Sequence, residues 1–290
     1  MAPPKIAIVA DWLTDFGGAE RVILAMHEAF PDAPIYTSVY QPKPELAAAL
    51  KGADIRTTTL QQMPSKLRKL HKFFPMLRVR AFQELDLSEF DIILSSSSAE
   101  AKQVPPLRKA DYQAAQNVDV FIANSSEVQT RIKKYYDKPS TIIHPPVDVS
   151  RFDPARLRSD YYVAVGRQVP YKRIDLAVQA ATKLGVKLKV FGNGSEHDRL
   201  VKLAGPTIEF YTNRFGDASD SEVTRTLNSA KGYIFPAEED FGIVQVEALA
   251  AGTPVIGYGR GGTLDIVQDN ETGVLFDQQT VESVSPERIE

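Results

Sequence analysis

Short apolar runs rich in valine and isoleucine alternate with longer stretches of helical periodicity along nearly the whole chain. This alternation narrows the fold more than any other feature. A strand covered on both faces reads as a near-continuous apolar run, and parallel strands need helical crossovers between them. In the first half the pattern predicts strands at Lys5–Ala10, Ile35–Val39, Asp54–Thr57, Asp91–Ser95 and Val118–Ala123, with helices at Ala19–Phe30 and Glu127–Tyr136. In the second half it predicts strands at Tyr161–Val165, Lys187–Phe191, Thr207–Phe210, Gly232–Phe235, Pro254–Gly257 and Gly273–Phe276. Helices are expected there at Ile174–Leu184, His197–Leu203, Ser221–Ser229, Ile243–Ala251 and Thr263–Val267. The expected class is α/β, with two Rossmann-like, doubly wound domains.

Between the halves, Pro145-Pro146-Val147-Asp148 and Arg151-Phe152-Asp153-Pro154 break both periodicities, as a linker would. The expected division is therefore an N-terminal domain over 1–146, a linker over 147–160 and a C-terminal domain over 161–290. With 290 residues, 43% of them apolar, each half can bury a core. The absence of cysteine excludes disulfides and thiolate metal sites. The four histidines, His27, His71, His144 and His197, show no metal-ligand spacing, so no metal site is expected. A net charge of −3 gives no reason to expect nucleic acid as a partner. No segment approaches the roughly 20 apolar residues of a membrane span, and the run after Lys5 is too short for a signal peptide. A cytoplasmic protein is expected.

Candidate chemistry gathers where strands end, because ligands of such sheets sit outside the strands' carboxyl ends. Pro236-Ala237-Glu238-Glu239-Asp240-Phe241-Gly242 follows one strand and opens a helix carrying Glu247. Gly242 and Phe241 form the turn, and the free amides of Ile243 and Val244 offer an anion site at the helix start. The Glu247 carboxylate can accept two hydrogen bonds from a diol such as ribose. An ordinary solvated acidic turn would not need Phe-Gly inside it and Gly252-Thr253-Pro254-Val255 after it. The second group is Gly166-Arg167 and Lys172 after the strand Tyr161–Val165. Two fixed cations can stabilise a diphosphate leaving group whose charge grows as its bond breaks. A merely solvated basic helix start is disfavoured, since cations oppose the dipole there. The third comprises Gly17-Gly18 before the first helix and Gly192 within Phe191-Gly192-Asn193-Gly194. Glycine pairs of this kind cradle phosphate, though alone they are weak signals. No third glycine and no acid at the right distance complete a dinucleotide fingerprint.

The segment from Glu239 to Glu247 resembles the Glu-x7-Glu motif of glycosyltransferase family 4. The resemblance extends over nearly the whole chain and implies the GT-B fold, two Rossmann-like domains facing each other across a cleft. It implies a retaining, metal-independent glycosyltransferase without a cofactor, whose substrate is a nucleotide-diphosphate sugar. By it, Arg167 and Lys172 meet the diphosphate, Glu239 the donor sugar and Glu247 the ribose, while Gly17, Gly18, Gly166, Gly192, Phe241, Gly242, Ile243 and Val244 complete the donor site. Asp240 stands where the family usually has glycine, a variant found in a branch with mannosyltransferases, which favours GDP-mannose. The acceptor is expected to be a glycan or a lipid-linked molecule. The first domain lacks a family stretch between Ser95–Pro106 and Val118, and the family's closing helices do not follow Val284. A catalytically idle sugar-nucleotide-binding module, acting with a partner protein, is therefore the alternative to an active enzyme.

One stretch falls outside these assignments. Ser65–Phe82 contains Lys66, Arg68, Lys69, Lys72, Arg78 and Arg80 without an acidic residue. Leu67, Leu70, Phe74 and Leu77 recur at helical spacing, with Pro75 placed to kink the helix. Such a segment is either a basic surface helix or a peripheral contact with an anionic membrane at the inner face.

Overall fold

The computed structural model describes residues 3–64, 68, 75–96, 112–212 and 219–284. The chain divides into two compact units, Met1–Asp119 and Val120–Glu290. The division falls before the proline-rich stretch of 145–154. Residues 120–146 make their contacts with the C-terminal unit, through Ser126 to Asp265, Arg131 to Asp240 and His144 to Phe241.

In the first unit β1 (Ile6–Ala10), β2 (Ile35–Thr37), β3 (Ile55–Thr57) and β4 (Ile92–Ser96) form a parallel sheet in the order β3-β2-β1-β4. The helix Gly18–Ala29 crosses from β1 to β2, and a short helix not expected from the sequence, Pro44–Ala49, precedes β3. Ile8, Ala10, Leu13, Ile23, Ile35, Leu46 and Leu50 close the core of this unit. Among the described residues a helix spans Pro75–Gln83. Its Ala81 is buried, and Arg78 lies over the Trp12 ring at 4.7 Å. The rest of the basic stretch Ser65–Phe82, apart from Arg68, lies outside the described residues. Among the described residues no helix is long and apolar enough to cross a membrane.

The second unit opens with a two-stranded parallel sheet, β5 (Phe121–Ala123) and β6 (Ser140–Ile142), joined by the helix Ser126–Tyr136. Its main sheet has six parallel strands: β7 (Tyr161–Val165), β8 (Lys187–Phe191), β9 (Ile208–Phe210), β10 (Gly232–Phe235), β11 (Val255–Tyr258) and β12 (Gly273–Phe276). The order is β12-β11-β10-β7-β8-β9, so the winding reverses between β7 and β10. Alternation along the strands sends Tyr162, Ala164, Leu188, Val190, Ile234 and Ile256 to one face. Val163, Phe191, Tyr233, Phe235 and Val255 go to the other. Both faces carry helices, which is why these strands read as continuous apolar runs.

The loops at the carboxyl ends are packed backbone on backbone. Gly192 has φ of +107°, and a Cβ there would drive into the Gly166 carbonyl. Gly18, by contrast, begins a helix at a point where a Cβ would meet only open space. Gly192→Ala should therefore lower stability in urea unfolding by more than about 1 kcal/mol, while Gly18→Ala should be neutral or slightly stabilising.

Candidate functional site

Strand β7 delivers Gly166, Arg167 and, through a short turn at Pro170–Lys172, Lys172. Its neighbour β10 delivers Glu239–Gly242. The buried Tyr233 phenol on β10 donates to the Val165 carbonyl at 3.2 Å, tying the two strand ends together. Burial holds that phenol protonated far above its ordinary range, and the nearby Glu247 carboxylate adds to the effect. The switch point thus places the two expected groups of charged residues side by side.

The Lys172 ammonium touches the Glu239 carboxylate, both side chains being largely shielded from solvent. Burial lowers Lys172 from 10.5 to about 7, with the Arg167 cation adding to the shift. The contact with Glu239 works in the opposite direction and favours the charged lysine. Arg167 is exposed, and its Nη2 donates to the Tyr171 hydroxyl at 2.6 Å. Arg173 is half-buried in a left-handed conformation and pairs with Asp175 at 3.1 Å.

Gly242 caps the helix Ile243–Ala250 at φ of +91°, so the amides of Ile243 and Val244 form its first turn. Phe241 is buried and stacks on His144, with ring centroids 5.3 Å apart. Asp240 pairs with Arg131 on the helix Ser126–Tyr136 at 2.7 Å. Glu247 projects from the helix as a carboxylate only 4% exposed, and Arg151 donates to it from Nη2 at 2.8 Å. Gly17 and Gly18 belong to the first unit, where the Gly17 amide donates to the Glu20 carboxylate at 3.0 Å.

Several neighbours of the site were not singled out in the sequence. Gln168, fully buried, donates from Nε2 to the Gly192 carbonyl at 2.6 Å and accepts from His197 Nδ1 at 2.7 Å. It thereby joins the loop after β7 to the loop after β8. Gly261 and Gly262 press the loop after β11 against the backbone of Glu239–Phe241, and the Gly262 amide donates to the Glu239 carbonyl at 2.8 Å. Their signal was present: Gly-Gly before a short helix repeats the pattern of Gly17-Gly18. For Arg151, 96 residues from its partner, no local signal exists. Among the described residues no three His, Cys, Asp or Glu side chains converge as a metal site requires.

This architecture has solved counterparts. Anabaena HepE in complex with UDP and glucose superposes with a TM-score of 0.75 over 99% of this chain and 89% of that one, at 17% identity. Sucrose-phosphate synthase from Thermosynechococcus elongatus gives 0.68 over 96% and 87%, at 16% identity. At such identities the likeness concerns the fold alone, and that fold is GT-B, an α/β architecture of two Rossmann-like units. Residues 149–287 match the family model of glycosyl transferases group 1. The D-inositol 3-phosphate glycosyltransferase of Mycobacterium sp. (strain KMS) is 33% identical over 200 residues, 61% of this chain and 46% of that protein. Its Mycobacterium tuberculosis (strain F11) counterpart is 33% identical over 194 residues, 59% and 40% respectively. The chain thus spans about half the length of the curated relatives it matches.

The position of Lys172 has a measurable sign. Its folded value lies below its unfolded value, so unfolding takes up a proton between pH about 7 and 10.5, and this group's contribution to stability rises with pH across that window. An NMR titration of the lysine Cε resonances should place Lys172 near 7. Glu239→Gln should move the midpoint lower still, because it removes the carboxylate that favours the cation.

Proposed function

We propose that this protein transfers a hexose from a nucleotide-diphosphate sugar to a hydroxyl acceptor, with retention of anomeric configuration and without a metal ion. The observation that carries the reading is the contact of Lys172 with Glu239, with the Arg167 cation close to Lys172, at the switch point between β7 and β10. As the bond between sugar and phosphate breaks, negative charge collects on the diphosphate. Two fixed cations and the first amides of the helix Ile243–Ala250 suit that charge better than they suit the intact donor. The incoming diphosphate competes with Glu239 for Lys172 and itself favours the charged lysine. Glu239 is then free to accept hydrogen bonds from sugar hydroxyls, while Glu247 accepts from the ribose. Gly192, packed on Gly166, completes the donor site in this reading. Retention rests on the resemblance to glycosyltransferase family 4.

Two donors are in competition. The Asp240 variant favours GDP-mannose, whereas the HepE structure contains UDP and glucose. The relatives' name, D-inositol 3-phosphate glycosyltransferase, supports a small polyol phosphate as acceptor, beside the glycan or lipid-linked acceptor expected from the sequence. A transfer and donor-hydrolysis assay with UDP-glucose and GDP-mannose, with and without chelator, is the direct test. Turnover of one donor in chelator, with NMR showing a retained anomeric configuration, is expected. Arg167→Ala should then lose about 2–4 kcal/mol of transition-state stabilisation. Nucleotide binding without any turnover would favour the idle module acting with a partner protein.

The basic stretch Ser65–Phe82 extends the proposal to attachment at the inner face of an anionic membrane, near a lipid-linked acceptor. Its basic residues should each contribute about 1 kcal/mol at low salt. Sedimentation with anionic liposomes at low salt should carry the protein down, and neutral liposomes or high salt should leave it in solution. Equal binding in all conditions removes this part of the reading.

A further inference from the structure

The Glu247 carboxylate poses a problem that the donor site alone does not solve. It is almost wholly buried, and a buried carboxylate without a compensating charge takes up a proton. The compensation comes from outside the helix Ile243–Ala250. Arg151 lies in the short turn Val149–Arg151, within the proline-rich stretch. Its guanidinium spans two carboxylates on two helices, Glu247 at 2.8 Å from Nη2 and Asp220 at 3.1 Å from Nη1. The turn is itself fixed. Asp148 accepts from the Ser150 amide at 3.1 Å and from its hydroxyl at 2.6 Å. The Asp153 amide donates to Asn228 at 3.0 Å, and Arg151 covers the buried Phe152 ring at 5.2 Å.

We propose that Arg151 is a positioning residue for the donor, holding the Glu247 carboxylate oriented so that ribose hydroxyls meet a preformed acceptor. The proposal rests on the reading of Glu247 as the ribose-binding group. A carboxylate held this way makes the same contacts in the ground and transition states, so Arg151 should act on donor affinity and leave turnover at saturation alone. Without Arg151 the carboxylate loses the contact that fixes its orientation, and its oxygens no longer stand ready for the ribose hydroxyls. Arg151, with Asp220 behind it, faces Glu247, as does the Tyr233 phenol, which stays protonated throughout the working range.

The test is calorimetric titration of Arg151→Gln, Arg151→Lys and wild-type protein with UDP and with GDP, all at one pH. The readout is the ratio of variant to wild-type affinity. For Arg151→Gln the affinity should fall about ten-fold, as for the loss of one well-oriented hydrogen-bond acceptor. Arg151→Lys should restore most of the affinity, and kcat at saturating donor should stay near wild type in both variants. A loss of affinity accompanied by lower kcat would make Arg151 merely structural. Tighter binding by Arg151→Gln would make it a competitor of the ligand, and no change would give it no role. Any of these results overturns the proposal while leaving the donor reading intact. Wild-type protein that binds neither UDP nor GDP overturns the donor reading, and this inference with it.

Discussion

The candidate site depends on one adjacency, the pairing of β7 with β10. A sheet buried on both faces has no room for charge along its strands, so charged side chains belong at the strand ends. In this unit the winding reverses between those two strands, leaving their carboxyl ends uncovered by a crossover. Lys172 comes from one end and Glu239 from the other, and Tyr233 holds the ends in register through the Val165 carbonyl. A cation as shielded as Lys172 is tolerable only beside such a carboxylate or an anionic ligand.

Around this pair the loops meet as backbones. The Gly192 loop rests on Gly166, and Gly261 and Gly262 rest on Glu239–Phe241. Gln168 fills the remaining polar demand of the first contact by bonding to the Gly192 carbonyl and to His197. Side chains could not bring the loops so close, so the precision of the site comes from residues that themselves carry no chemistry.

The parts legible in the sequence are those whose signal is local. The six strands of the main sheet appear as apolar runs because that sheet is covered on both faces, and their bounds match the expected ones within a residue. Arg167, Lys172, Glu239 and Glu247 were visible because each stands a few residues beyond a strand or inside the helix that follows. The helix Pro44–Ala49 and the strand Ser140–Ile142 were not, being too short or too polar to set a period. Arg151 and Arg131 were hidden for another reason. Their significance lies in partners 96 and 109 positions away in the chain, a separation obtained for the second from its two residue numbers. The division of the chain also escaped the sequence. Proline density marks where regular structure stops, whereas unit membership follows contacts that proline does not report.

The helix Ser126–Tyr136 shows what that membership means. Its first amide and the Ser126 hydroxyl both donate to Asp265, which stands 139 residues further along the chain. Arg131 on the same helix meets Asp240, and His144 beyond it stacks on Phe241. The start of this helix is therefore written in two distant parts of the gene. A chimera joined within the proline-rich stretch would inherit the helix from one parent and its cap, counter-charge and stacking partner from the other. A crossover at the boundary between Asp119 and Val120 would keep all three pairs together, which makes that point the natural seam for recombining this chain with its relatives.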